Sequence, residues 1–172
     1  MNEGNRRARR IAEAIRMPLS VRTAIPIGTR RRRLVSTERE ILDVVRPLAD
    51  LQHVTGILVA SVDGLLIATN IPDAQARGIE PETVAAMSAA QLGLGRQISA
   101  GCANGEFQES VTRAADGYVA TFAAGAHAVL TVLAEATLNV GRLHHEARPV
   151  AAQVGALIDR AHAGARASRE RR

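Results

Sequence analysis

The stretch Gly56-Ile-Leu-Val-Ala-Ser-Val62 is apolar at nearly every position. Alternate side chains of a strand point to opposite faces, so a strand apolar on both must be covered on both and belongs inside a sheet with helices on each side. Asp63-Gly64 follows, the dipeptide favoured where both central turn residues take positive φ, and Leu65-Leu-Ile-Ala-Thr69 returns as a second strand. This hairpin fixes the frame into which the remaining segments must fit.

Helical spacing brackets it. Thr37 with Glu40 three residues on forms a capping box, and Ile41, Val44, Leu48 and Leu51 recur at helical intervals. Pro47 lies inside that stripe and is expected to kink the helix. Pro81 opens a second helix running to about Ala100, with Val84, Met87, Leu94 and Ile98 expected to face the sheet. A separate stripe, Ala86, Ala90, Gly93, Gln97 and Ala100, is almost wholly small and would let another backbone approach closely. Three further strands follow as a meander: Phe107 to Arg113, Tyr118 to Ala123 after Asp116-Gly117, and Ala128 to Ala134 after Gly125-Ala126-His127. The first mixes Gln108, Glu109, Ser110 and Thr112 with Phe107 and Val111, which marks it as a sheet edge. The uncharged run Gly117 to Ala134 is about the length of a membrane span, but small residues, an internal Gly-Ala-His turn and β-branched side chains assign it to strands. A final helix carries Val140, Leu143, Ala147, Val150, Val154, Leu157 and Ala161 at spacings of three and four, with a kink expected before Pro149.

Composition removes whole classes of chemistry. All 22 basic side chains are Arg, so neither a Schiff-base lysine nor a phosphate-loop lysine is available. Cys102 is the single cysteine, which rules out an intrachain disulfide framework and a cysteine-rich zinc site. With no Trp, one Tyr and two Phe, the chain has few platforms on which bases could stack. The charge is uneven. Residues 1–33 carry ten Arg against Glu3 and Glu13, residues 34–159 seven Arg against fourteen acids, and residues 160–172 five Arg against one acid. An acidic body with two basic ends is the pattern of arms on a domain, not of a basic binding face. Residues 1–33 lack a sustained apolar stripe and are expected to be disordered, and Glu13 and Arg16 interrupt any apolar run that a secretory signal would need. The reading is therefore a basic arm over 1–36, a folded domain over 37–162 and a basic tail over 163–172, in a cytoplasmic protein.

No constellation in the body points to catalysis. His144-His145-Glu146 are adjacent on a helix and diverge by about 100° per residue, so they are expected as exposed helix positions and not metal ligands. Cys102 has no neighbouring His to activate it and is expected as a semi-buried thiol. Asp63 and Asp116 each precede Gly and serve turns. Gly93-Leu-Gly95 lacks the lysine and the spacing of a phosphate loop. No catalytic residue, cofactor or metal is expected.

The order helix, hairpin, helix, three-strand meander, helix, together with Gly56-Ile-Leu-Val-Ala-Ser-Val-Asp-Gly-Leu65 and Asp116-Gly-Tyr118, resembles the Roadblock/LC7 domain family in its bacterial, small-GTPase-associated branch. Ala128-Val-Leu-Thr-Val-Leu-Ala134 and the helix entry Leu138-Asn-Val-Gly-Arg142 extend the likeness, which covers about residues 37–162. The resemblance implies an α/β sandwich of order α-β-β-α-β-β-β-α. In it a five-stranded antiparallel sheet carries the first and last helices on one face and the middle helix on the other. It also implies a homodimer joined through the third strand and the middle helices, which places Ala86, Ala90, Gly93, Gln97, Phe107, Glu109 and Val111 at the interface. The implied partner is a Ras-like small GTPase, and a sensor-kinase complex is a further one. A GTPase activator can insert an arginine toward the transferring phosphoryl group, which makes Arg96, Arg113 and Arg142 the contact candidates. The expected function is a non-enzymatic regulator or scaffold of the GTPase. The alternatives are a structural adaptor without effect on turnover, or an Arg-armed binder of nucleic acid or of an anionic membrane; a peripheral place at the membrane is expected only through partners.

Overall fold

The computed structural model describes residues 27–170. The expected disorder of residues 1–33 therefore falls largely outside the described residues. The chain divides at Arg31 and Arg32, within the first described helix, and the architecture is that of the residues from 32 onward. The described elements run α1 (Ile27–Ala49), β1 (Val54–Ser61), β2 (Leu66–Asn70), α2 (Pro81–Gly101), β3 (Glu109–Arg113), β4 (Gly117–Ala124), β5 (Ala128–Glu135) and α3 (Val140–Glu170).

The five strands form one sheet in the order β2-β1-β5-β4-β3, antiparallel throughout. β5 is the central strand and Ala128 to Ala134 are all buried, the consequence of seven apolar or β-branched residues with a layer on each side. β1 lies beside it, and its side chains divide as the apolar run requires. Ile57 and Val59 point to one core, Leu58 and Ala60 to the other. β3 is an edge, as its polar composition indicates. The segment expected to begin at Phe107 becomes strand only at Glu109, because the Phe107 ring turns under α2.

The β1–β2 turn differs from the expected type. Gly64 alone takes a positive φ, of 84°, and its amide donates to the Ser61 carbonyl at 2.9 Å. The Ser61 amide in turn donates to the Leu65 carbonyl at 2.9 Å, so the loop is a β-turn with Gly64 in the left-handed bulge position.

The two faces are unequal. Ile41, Val45 and Leu48 of α1 and Leu143, Ala147, Ala151, Val154 and Ile158 of α3 cover one side, packing on Phe122, Leu130 and Val132. α2 covers the other with a thin core, in which Ala85 and Leu92 meet Leu58, Val129 and Phe107. Arg30 to Arg33 are good helix formers and α1 runs through them, so Thr37 lies inside the helix and is not its cap. α3 likewise continues past residue 162 to Glu170. Its start is capped by Asn139, whose Oδ1 accepts from the Arg142 amide at 3.0 Å. Both helices continue through their prolines, Pro47 and Pro149. The uncharged run forms β4 and β5, and no helix among the described residues is long and apolar enough to cross a membrane.

Candidate interaction surface

The structure corrects the expected packing face of α2, which is neither of the two stripes singled out in the sequence. Ala85, Ser88, Ala89 and Leu92 are its buried residues, while Met87, Leu94 and Ile98, expected against the sheet, are 59, 58 and 57 % exposed. Val84 remains half-buried against the thin core. The reason is separation: Gln91 sits between helix and sheet, accepting from Thr121 Oγ1 at 2.7 Å and donating to Thr112 Oγ1 at 2.9 Å. Small residues bring the helix close enough for those bonds, so the stripe next to the sheet is small and the large side chains point away.

Phe107 locks this arrangement. It is 9 % exposed, and a Cβ at Gly95 would collide with its ring. Glycine at 95 is therefore a packing requirement. At Gly93 an added Cβ would meet nothing. Ala86, Ala90 and Gln97 are exposed and Gly93 is half-buried, and they flank the Met87, Leu94 and Ile98 ridge along one side of the helix. Of the residues expected at an interface, Phe107 alone is corrected to a core position beneath it.

β3 supplies the adjoining edge. Val111 is 36 % exposed. Glu109 is held from behind by α3: Arg148 Nε donates to Oε2 at 3.0 Å and Arg148 Nη2 to Oε1 at 2.7 Å, while His144 Nδ1 lies 2.6 Å from Oε1. The Arg148 hydrogen bonds hold the Glu109 carboxyl below its ordinary range, against the opposing effect of burial. His144 also meets Phe122 edge to face, with ring centroids 5.8 Å apart. It is thus a half-buried partner of the β3 edge and not the exposed helix residue expected; His145 and Glu146 are exposed. His144 and Arg148 share a helix face at a spacing of four, but no sequence spacing links either to position 109, so only the fold brings the three together.

Arg96, Arg113 and Arg142 come from α2, β3 and the first turn of α3. Arg113 lies 5.8 Å from the Tyr118 ring centroid, Arg96 is half-buried and Arg142 exposed. Cys102, expected semi-buried, is an exposed free thiol at the end of α2. A cavity of about 560 Å³ opens where β1 begins and β2 ends, bordered by Asp73, Arg77, Asp116 and Glu135. None of the interface or partner-contact candidates lines it, Asp116 reaches it from the β3–β4 turn, and Arg77 is engaged by the Thr55 carbonyl at 2.9 Å. Among the described residues no group of three or more His, Cys, Asp or Glu is placed to hold a metal ion.

An apolar ridge beside a free strand edge is equipment for protein contact, and comparison with known proteins agrees in fold. A Roadblock/LC7 domain structure from Streptomyces avermitilis is 19 % identical, covering 69 % of this chain and 92 % of its own, with a TM-score of 0.55. Myxococcus xanthus MglB is 11 % identical over 79 % of this chain and 95 % of its own, with a TM-score of 0.57. The gliding protein MglB from Thermus thermophilus is 15 % identical over 82 % and 99 %, with the same TM-score. No curated protein matches. At these identities the likeness is one of fold, while the family model for the Roadblock/LC7 domain matches residues 40–134 directly. The chain belongs to the Roadblock/LC7 domain family.

Proposed function

We propose that this protein is a non-enzymatic homodimeric regulator of a Ras-like small GTPase, acting by contact on the partner's nucleotide state or location. The observation that carries the reading is the exposed ridge of Met87, Leu94 and Ile98 on α2, set in a fold of this family. Three large apolar side chains aligned on one helix face favour a protein cover over water. The small residues Ala86, Ala90 and Gly93 let a second copy of the helix approach beside them. A similar fold is described as "MglB with tetrameric arrangement", at 17 % identity and a TM-score of 0.56.

A chain with no Lys and a single Cys has little with which to hold a nucleoside triphosphate or activate a nucleophile, which supports regulation through the partner's own catalytic groups. Arg96, Arg113 and Arg142 sit on regular elements and not on a long loop, which favours ordering of the GTPase's switch segments over insertion of an arginine. The experiment is twofold. Sedimentation of the wild type should give a dimer and Leu94→Asp a monomer with native circular dichroism. Phosphate release by a Ras-like small GTPase from the same genome should then change when the wild type is added. A monomeric wild type contradicts the dimer, and unchanged turnover with binding retained favours the adaptor reading.

A further inference from the structure

The fold brings arginines from opposite ends of the sequence to one end of the sheet. β1 and β5 are antiparallel neighbours, with Val54 paired to Ala134, and α1 leads into the first while α3 leaves the second. Both helices therefore meet the sheet where β1 begins. They lie on the same face, α1 through Ile41, Val45 and Leu48 and α3 through residues from Leu143 to Ile158. α1 followed backward and α3 followed forward head for the opposite end. α3 reaches it at the β4–β5 turn, where a Cβ at Gly155 would collide with the Gly125 backbone. His127 Nδ1 of that turn lies 2.7 Å from Asp159 Oδ1, and the His127 and His162 rings stack with centroids 4.6 Å apart. Counted back from Ala49, α1 rises about 26 Å to Arg32, the span of a strand as long as β1.

Charge follows this layout. In α1 the run from Arg30 ends on Arg32 and Arg33 with no acid between residues 27 and 36, and α3 carries Arg160, Arg166 and Arg169 with no acid between residues 160 and 169. Residues 38–40 of α1 and 160–163 of α3 are exposed, ahead of Ile41 and past Ile158. Of the carboxylates at this end, Asp159 is engaged by His127 and Asp63 lies in the β1–β2 turn. The other end is acidic, with Asp73, Asp116 and Glu135 bordering the cavity beside Arg77. A domain polarised along its strands turns its arginine end toward an anionic surface and its acidic end away. Arginine binds phosphate bidentately, and lipid headgroups present phosphate in a plane that two helix ends can meet together. In the sequence, Ile11, Ile15, Leu19, Ile25 and Leu34 are interleaved with the arginines of residues 1–35, a composition suited to the boundary between headgroups and acyl chains. The scarcity of aromatic residues argues against nucleic-acid bases as the target.

We infer that the arginine-bearing ends of α1 and α3 together form a docking surface for a membrane that contains anionic phospholipids, which the protein binds directly and without a partner protein. This stands apart from the GTPase reading, since it needs no second protein.

Vesicle flotation of the full-length protein tests it, comparing phosphatidylcholine alone with phosphatidylcholine containing phosphatidylglycerol. Binding should appear with the anionic lipid and fall steeply as salt rises from about 0.1 to about 0.5 M. Two double variants separate the helices: Arg32→Gln with Arg33→Gln on α1, and Arg166→Gln with Arg169→Gln on α3. Glutamine keeps the helix propensity of arginine, so circular dichroism should be unchanged, and each double variant should lower the partition constant by about tenfold or more. A loss confined to one helix, with the other variant binding as wild type does, overturns the shared surface. Equal binding to both kinds of vesicle, or to neither, overturns the inference. Capture of duplex DNA by a protein that leaves the vesicles unbound assigns the basic end to nucleic acid and overturns it as well.

Discussion

Glu109 of β3 and Arg148 of α3, 39 residues apart, are joined by two hydrogen bonds that tie the sheet's outer strand to its longest helix. Arg148 is largely exposed while the Glu109 side chain is 15 % exposed, so the carboxylate is the member whose ionisation depends on the contact.

Glu109 has a folded-state carboxyl held below the ordinary value of 4.5, chiefly by Arg148. A depressed carboxyl stabilises the fold above its unfolded pKa, and that contribution disappears as pH falls through the folded value. Arg148→Ala should therefore lower stability at neutral pH, with the gap from wild type closing as pH drops below about 4.5. Urea unfolding at a series of pH values checks this. A gap that persists undiminished in acid would assign the effect to packing alone.

Gly93 and Gly95 lie two residues apart on α2 and should respond oppositely to alanine. A methyl at 93 meets nothing, so Gly93→Ala should stabilise by about 0.5–1 kcal/mol through helix propensity. A methyl at 95 collides with Phe107, and Gly95→Ala should destabilise by roughly 1–3 kcal/mol. Urea unfolding at matched protein concentration distinguishes them, and equal shifts in one direction would mean that Phe107 is not packed beneath the helix.

Thr131 is fully buried at the centre of β5, and its Oγ1 has no hydrogen-bond partner. Replacing an unsatisfied buried hydroxyl with a methyl of the same shape removes a desolvation penalty of about 1–3 kcal/mol. Thr131→Val should accordingly raise the urea midpoint without changing the slope of the transition. A lower midpoint would show that the hydroxyl is satisfied in solution.

The sheet and the order of its elements were legible because β1 and β5 are apolar at nearly every position and because the turns between strands carry glycine. The orientation of α2 was not. Neither candidate stripe lies against the sheet, because periodicity measures hydrophobicity, whereas here side-chain size decides the packing face, and it falls on Ala85, Ser88, Ala89 and Leu92. Only the Gln91 bonds to Thr112 and Thr121, across 21 and 30 residues of sequence, fix the close approach that sends Met87, Leu94 and Ile98 outward. The start of α1 was missed for a different reason. The Thr37–Glu40 pair has the form of a capping box, but that pattern is equally compatible with a helix interior when the preceding residues are arginines. In the Glu109, His144 and Arg148 group the two helix residues have the i,i+4 spacing of one face, but Glu109 joins them only because α3 crosses behind β3.

The central claim is that this protein works by binding a small GTPase. Isothermal titration of the full-length protein into each Ras-like small GTPase of the same genome, loaded in turn with GDP and with a non-hydrolysable GTP analogue, tests it most directly. The expected result is binding that differs between the two loaded states by about tenfold or more, the differential affinity that any shift of a two-state switch requires. Absence of binding to either form would contradict it, and equal affinity for both would remove the effect on nucleotide state and leave only a role in location.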